Sequence, residues 1–366
     1  TPMRTLTPAP ANPEDAKLAV ETCRYLLDVL KDKENRILVR AHVPTAVAKL
    51  LGRDPGTSAN GIKADDLAKS PEGQAAVLRA EAITLFTQAL RDKAEHIMVI
   101  QSATMALGQM AHNSDKEVLK VLDQMASGDL SRDAQVRNFA IISMGHIGGE
   151  EARANLIARL GTSGNTRQKP WIALALGVMG AECLETGGAA DPEIGRALTE
   201  ALEKMKNPYW KAGIAIGLGL ARHQGAGPKI LDLMNKSRDP NLRGYCAVGL
   251  GLMAFRLAVD ALRTLRERSL RRPLLEQVAI GVGLMGDPSG MPGLVQALAV
   301  THSVAAQASA ALGLGLIGSP GSLEPLVEIL EGHERFSNRT RAFAAAALGR
   351  LCDRSARPWN ARIGVG

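Results

Sequence analysis

Two glycine-rich segments have the spacing that most closely matches a known chemical motif. Residues 281–286 and 313–318 both fit G-x-G-x-x-G, the pattern with which a strand-to-helix turn approaches the phosphates of a dinucleotide. Both segments lie in apolar runs of helical character and are 32 residues apart. We therefore expect these glycines inside and at the ends of helices, where they would not bind a nucleotide.

The side chains that most often perform catalysis or bind metals are scattered. The 7 histidines form no HExxH pair, the spacing that places two metal ligands on one helical face. The sequence also has no Walker lysine loop and no G-x-S-x-G segment. It therefore predicts a protein without a metal, without a cofactor and without catalytic residues.

The cysteines and the charge leave several functions open. Cys23, Cys183, Cys246 and Cys352 are too far apart for a CxxC motif, and the redox compartment is left undecided. The net charge of +7 permits contact with nucleic acid without requiring it. The densest basic stretch, which contains no aromatic residue, comprises Arg263, Arg266, Arg268, Arg271 and Arg272. A solvated helix end explains this stretch, with contact to phosphate or an acidic partner as the alternative.

The composition indicates helices that pack through small residues. The chain has 366 residues, of which 46% are apolar, only 3% are aromatic and 37 are glycine. A core poor in aromatic side chains must be built from closely packed aliphatic residues and alanine. No apolar run reaches the length needed to span a membrane.

A period of about 32 residues organises these glycines. One glycine, here called the marker glycine, follows the apolar centre of each unit, and several intervals between consecutive markers equal 32. Each unit is predicted to contain two helices, the second carrying the marker. The markers are Gly108, Gly145, Gly177, Gly219, Gly251, Gly283, Gly315 and Gly349.

The second helices resemble those of HEAT-repeat proteins, in which Asp-Pro-x-x-Val-Arg precedes an alanine-rich helix. The segments Arg137-Asn-Phe-Ala-Ile-Ile-Ser-Met-Gly-His-Ile-Gly148 and Arg341-Ala-Phe-Ala-Ala-Ala-Ala-Leu-Gly349 are similar to this pattern. The short period resembles the compact HEAT-like subclass that includes bilin-lyase-type repeats, and the C-terminal segment resembles exported bacterial HEAT-repeat proteins. The resemblance implies an all-α fold, a right-handed α-α solenoid of about eight repeats over residues 73–353, with an N-terminal helical cap over residues 14–72.

The resemblance also implies a structural role for an acidic and a basic position. In the family, these positions form a ladder between neighbouring repeats, where a guanidinium group satisfies a carboxylate and loop carbonyls. A nucleic-acid-binding stripe is the alternative interpretation. The residues concerned are Asp133, Arg137, Lys169, Lys211, Asp239, Arg243 and Arg341.

The second helices are apolar nearly all round, more than a single core requires. Aliphatic residues occupy the positions three before and, in most repeats, one after the marker glycine, and several aromatic residues occupy the position six before it. A helix of this kind is buried or covered, so the concave side of the solenoid is either closed, self-associated or an apolar groove for a partner. The partner-binding candidates are Trp171, Ile216, Tyr245, Val248, Ile280 and Leu312.

The two ends are expected to be tails. The Pro-rich residues 1–13 and residues 354–366 lie outside the predicted helical regions. The start at Thr1-Pro2 is typical of a mature end after removal of a signal peptide or of a shortened chain. Cytoplasmic and exported locations both remain open, and the sequence leans toward export.

The sequence favours a non-catalytic scaffold that binds another protein through its concave, apolar surface. The first alternative is a sequence-independent nucleic-acid binder that uses the basic residues eight positions before the marker glycine, here called the basic column: Arg137, Lys169, Lys211, Arg243 and Arg341. The second alternative is a self-assembling structural subunit. Among enzymes, a bilin-handling lyase is the alternative. HEAT-like di-iron hydroxylases carry several His-Glu pairs, whereas this sequence has only His333-Glu334.

Overall fold

The computed structural model describes residues 13–53, 70–162, 166–268, 272–301, 303–332 and 334–352. Within these ranges the chain forms eighteen α-helices, several short 3-10 turns and no strand. The chain divides into two compact units, with the boundary between Ala158 and Arg159. The boundary falls within residues 73–353, for which the sequence predicts one repeat region. The two expected tails lie almost wholly outside the described residues.

Unit 1 is a row of antiparallel helical pairs. Helices α1 and α2, α3 and α4, and α5 and α6 pack as pairs, and the second helices α2, α4 and α6 pack on one another in order. The helix α7 contains the unit boundary. The bounds are α1 Pro13–Lys31, α2 Ile37–Leu51, α3 Pro71–Arg91, α4 Ile97–Met110, α5 Lys116–Ser127, α6 Ala134–Ile147 and α7 Glu150–Gly161.

Unit 2 repeats the same arrangement. The second helices α8, α10, α12, α14, α16 and α18 pack consecutively, and α9, α11, α13, α15 and α17 each pack on the second helix that follows. The bounds are α8 Lys169–Glu185, α9 Pro192–Lys204, α10 Pro208–Leu220, α11 Gly227–Lys236, α12 Pro240–Leu252, α13 Val259–Arg268, α14 Arg272–Met285, α15 Met291–Val300, α16 Val304–Ile317, α17 Leu323–Glu331 and α18 Asn338–Cys352.

Polar side chains fix where the second helices begin. The Asp133 carboxylate accepts a hydrogen bond from the Val136 N–H at 2.8 Å, and the Asp239 carboxylate accepts from the Asn241 N–H at 2.8 Å. These N-caps satisfy backbone donors that have no partner within the helix. Short 3-10 turns at Pro288–Gly290 and Pro320–Ser322 precede the first helices α15 and α17.

The marker glycines allow consecutive second helices to touch through their backbones. A methyl group added at Gly177 would lie 2.7 Å from the Gly217 Cα, and one added at Gly283 would lie 2.6 Å from the Gly313 Cα. The same relation joins Gly219 to Gly249, Gly251 to Gly281 and Gly315 to Ala347. The predicted close packing of small residues is therefore confirmed.

The N-terminal helices form a complete pair of the repeat type. The turn between α1 and α2 has the same conformation as the turn between α3 and α4, 60 residues later. The sequences Leu30-Lys-Asp-Lys33 and Leu90-Arg-Asp-Lys93 precede these turns. The predicted N-terminal cap thus repeats the architecture of the pair that follows it, with Ala48 in place of the marker glycine. None of the described helices is both long and apolar enough to cross a bilayer.

Candidate protein-binding site

The basic column seals the ends of the first helices. The side chains of Arg243 and Arg341 donate from Nε to the backbone carbonyls of Met234 and Leu330, at 3.0 and 2.9 Å. Arg137 donates in the same way to the Ala126 carbonyl at 3.3 Å. These acceptors belong to the preceding helix of the same pair, whereas the family resemblance implied contacts between neighbouring repeats.

Lys169 makes the same contact from a buried position. Its Nζ lies 2.9 Å from the Leu160 carbonyl oxygen, 2.8 Å from that of Thr162 and 6.0 Å from the centre of the Trp210 ring. Burial lowers the pKa of the Lys169 ammonium group. Gln307 replaces the cation in a later repeat and donates to the Thr301 carbonyl at 3.0 Å. An amide therefore suffices for this role, which argues against a stripe selected for positive charge.

The acidic residues act on the other side of the same turns. Asp133 and Asp239 cap the start of the helices that carry Arg137 and Arg243. In each case the carboxylate closes the start of the second helix while the guanidinium closes the end of the first. These contacts fix the turn within a repeat and give the acidic and basic residues a structural role. Lys211 is half-buried at the same position.

Among the remaining basic candidates, the side chain of Arg263 is described. The Arg263 guanidinium lies 2.6 Å from the Asp260 carboxylate, and both side chains are exposed. Such an exposed pair contributes little stability. The side chains of Arg266, Arg268, Arg271 and Arg272 lie outside what the structure describes.

The candidate site is a row of aliphatic side chains on five consecutive second helices of unit 2. We define the apolar row as the residues three before and one after the marker glycine on α8, α10, α12, α14 and α16. All ten are half-buried, so each keeps part of its apolar surface in contact with solvent. They are Leu174, Val178, Ile216, Leu220, Val248, Leu252, Ile280, Leu284, Leu312 and Leu316.

Two aromatic residues extend the apolar row. Trp171 on α8 and Tyr245 on α12 lie three residues before Leu174 and Val248, and therefore on the same helical face. Both are half-buried. All six residues predicted to bind a partner thus occur on one kind of face in unit 2, with Tyr245 and Val248 sharing α12.

The corresponding positions on the second helices of unit 1 carry polar groups. The position one after the marker holds Lys49 on α2, Gln109 on α4 and His146 on α6. At the far end of unit 2, Arg350 occupies it on α18. Among the described second helices, aliphatic residues therefore occupy both row positions only on α8, α10, α12, α14 and α16.

The described residues contain no other arrangement that suggests chemistry. Within them, no group of three or more His, Cys, Asp or Glu side chains is placed to hold a metal ion. Burial raises the pKa of the Cys23 thiol to about 11 and that of the Cys246 thiol to about 12, so both remain protonated at neutral pH and are poor nucleophiles. Cys246 is fully buried among the core residues. His333 lies outside the described residues.

One buried ion pair was not predicted from the sequence. Arg40 occupies the basic column in the N-terminal pair, donates to the Leu30 carbonyl at 3.0 Å and contacts the Glu95 carboxylate at 2.7 and 3.1 Å. Both side chains are 6% exposed. The match between residues 30–33 and 90–93 identifies Arg40 as a member of the basic column, because it aligns α1 and α2 with the helical pair that follows.

The paired helices, the repeating contact at the marker glycines and the capped turns decide the architecture. The chain is built from repeated pairs of α-helices whose second helices pack on one another in order. No family model matches this sequence, and no curated protein matches it.

Three solved structures are similar to parts of this fold. The complex of CpcE and CpcF of phycocyanin lyase from Nostoc sp. PCC7120 matches at 14% identity and a TM-score of 0.44, covering 74% of this chain and 94% of that chain. Human deoxyhypusine hydroxylase in complex with glycerol matches at 17% identity and a TM-score of 0.34. The match covers 93% of this chain and 99% of that chain. The YibA protein of E. coli matches at 12% identity and a TM-score of 0.41. The match covers 75% of this chain and 96% of that chain.

Proposed function

We propose that this protein is a non-catalytic repeat scaffold that binds an apolar segment of another protein through the apolar row of unit 2. The observation that carries the proposal is the recurrence of half-exposed aliphatic pairs on five consecutive second helices. A continuous apolar surface of this kind is typical of protein-binding sites, whereas singly scattered apolar residues are not. Within unit 2 the row ends at α18, where Arg350 occupies the position one after the marker glycine.

The dimensions of the row suit an amphipathic helix or a similar apolar segment. Packed helices lie roughly 8–10 Å apart, so five second helices present a surface roughly 30–40 Å long. A partner helix of about 20–27 residues has that length at a rise of 1.5 Å per residue. Its apolar face would contact successive aliphatic pairs, and Trp171 and Tyr245 would supply large anchoring side chains.

Site-specific photo-crosslinking tests this function. A benzophenone amino acid replaces Val248, in the centre of the row, in the full chain expressed in its native cells. The matched control carries it at Val300, which is 70% exposed on the first helix α15 of the same unit. We expect a discrete cross-linked protein from position 248 and none from position 300.

Other cross-linking results would contradict the proposal. A cross-link from position 248 to a second copy of the chain would assign the row to self-association. A cross-link to nucleic acid would support the basic-column alternative instead. Equal labelling from both positions, or none from either, would show that the row has no specific protein partner.

A further inference from the structure

The first helical pair leaves exposed the face that every later pair covers with its predecessor. Val39 on α2 is 51% exposed, whereas its counterpart Val99 on α4 is 0% exposed because α4 packs on α2. Leu50 is 38% exposed against 1% for its counterpart Met110. On the first helix α1, Leu18 is 63% exposed and its counterpart Leu78 on α3 is 3% exposed. This surface, which we call the leading face, is thus an ordinary repeat-to-repeat contact surface without its neighbour.

The last described pair exposes the opposite face of the same contact. Ala342 and Ala345 on α18 are exposed, whereas their counterparts on α16, Ala308 and Ala311, are buried. Gly349 is also exposed, and a methyl group there would meet no described atom within 4 Å. The earlier marker Gly315 contacts Ala347 of the next helix. We call the surface of Ala342, Ala345 and Gly349 the trailing face.

The two faces are complementary in the way that consecutive second helices are. In the interior of each unit, a marker glycine receives the residue two positions before the marker of the next second helix, as Gly108 receives Ser143 and Gly315 receives Ala347. In α2, that residue is Ala46, which is half-buried beside Val39 and Leu50. Gly349 and Ala46 therefore have the residue types that this contact requires.

We propose that copies of this chain associate head to tail, with α18 of one copy packing against α2 of the next. The contact continues the interface that already joins second helices within each unit. A repeat face that stays unstacked is normally polar, whereas the leading face exposes Val39 and Leu50. Because two different faces meet, the association is heterologous and closes into a ring or grows as an open chain.

Sedimentation and light scattering of the full chain across a concentration series test this inference. The average mass of the wild type should rise with concentration. Val39→Glu blocks the leading face and Ala345→Glu blocks the trailing face, because each would place an unpaired carboxylate in the contact. Each variant alone should associate at least about tenfold more weakly than the wild type.

An equimolar mixture of the two variants distinguishes head-to-tail contact from symmetric contact. Each variant retains one intact face, so the mixture should form dimers and nothing larger. If equal faces paired instead, one of the two variants would still dimerise by itself. Leu257→Glu, at a site 78% exposed and distant in sequence from both faces, is the matched control and should behave as wild type.

Several results would overturn the inference. These are a wild type that stays monomeric throughout, single variants that associate as strongly as the wild type, or a mixture that remains monomeric. Circular dichroism of each variant verifies that it is folded; if either glutamate variant unfolds, Val39→Gln and Ala345→Gln replace the pair. Charging the apolar row at Ile216 should leave the mass distribution unchanged, which separates this inference from the proposed function.

Discussion

At the scale of single residues, contacts at the turns within helical pairs explain the repeated acidic and basic positions. Arg243 and Arg341 donate to the last carbonyls of the preceding helix, and Asp239 caps the following one. The family resemblance implied a structural role for these residues but placed their contacts between neighbouring repeats. The guanidinium groups instead contact the preceding helix of their own pair, which lies within the same reach.

The buried pair of Arg40 and Glu95 yields a prediction about acid stability. Burial opposes ionisation of Glu95, but the Arg40 hydrogen bonds and charge and the His96 N–H together hold its pKa below the usual value. A carboxyl group with a lowered pKa in the folded state stabilises the protein above its unfolded pKa of about 4.3 and loses that contribution as the pH falls further.

Glu95→Gln should therefore lower the free energy of unfolding by about 2 kcal/mol at pH 7, because the Arg40 charge loses its ionic partner. The difference between wild type and variant should shrink as the pH falls below about 4. Urea unfolding at a series of pH values measures both effects. A difference that stays constant down to pH 3 would show that folding does not lower the pKa of Glu95.

At the scale of helices, glycine is a packing residue in this protein. Glycine inside a helix costs roughly 1 kcal/mol relative to alanine, yet the marker position keeps it through unit 2. Close packing offsets this cost, because the next second helix contacts the backbone at the glycine.

One pair of substitutions at equivalent positions tests the role of the marker glycines. Gly251→Ala would press a methyl group against the Gly281 carbonyl and should destabilise the fold by about 1–3 kcal/mol. Gly349→Ala meets no described atom and should stabilise it by up to about 1 kcal/mol. Thermal unfolding in dilute solution measures both. Changes of the same sign would refute close approach as the reason for the glycine.

The sequence predicts the helical pairs well, because the 32-residue period repeats both the apolar pattern and the turn residues. It predicts the two ends less well. Arg40 and Ala48 stand where other repeats have their basic residue and marker glycine, but a period of 60 separates this pair from the next and conceals the relation. The 3-10 turns before α15 and α17 also escaped prediction, since Pro288 and Pro320 follow residues that normally begin an α-helix directly.

The candidate site was only partly predictable for a similar reason. Composition and spacing identify Ile216, Val248 and Ile280 as apolar residues beyond those that a single core requires. Whether such residues are buried depends on the angle between neighbouring helices, which the sequence pattern does not specify. Their half-burial, and the restriction of the row to unit 2, required the structure.

At the scale of the whole molecule, the two units differ in the surface they offer. Unit 2 has five consecutive second helices with aliphatic residues at both row positions, whereas each second helix of unit 1 carries Lys49, Gln109 or His146. The proposed function therefore assigns partner binding to unit 2 alone. The leading and trailing faces consist of other residues, on the first and the last described helical pair.

Calorimetry with the purified full chain measures the affinity of row variants for the cross-linked partner. This measurement decides whether the apolar row is the binding surface. Ile216→Asp, Val248→Asp and Ile280→Asp should each weaken binding at least about tenfold, since each buries a carboxylate against an apolar partner. Val300→Asp, outside the row, should bind as the wild type does. Unchanged affinity in all three folded row variants, or an equal loss in Val300→Asp, would contradict the claim that the apolar row is the binding surface.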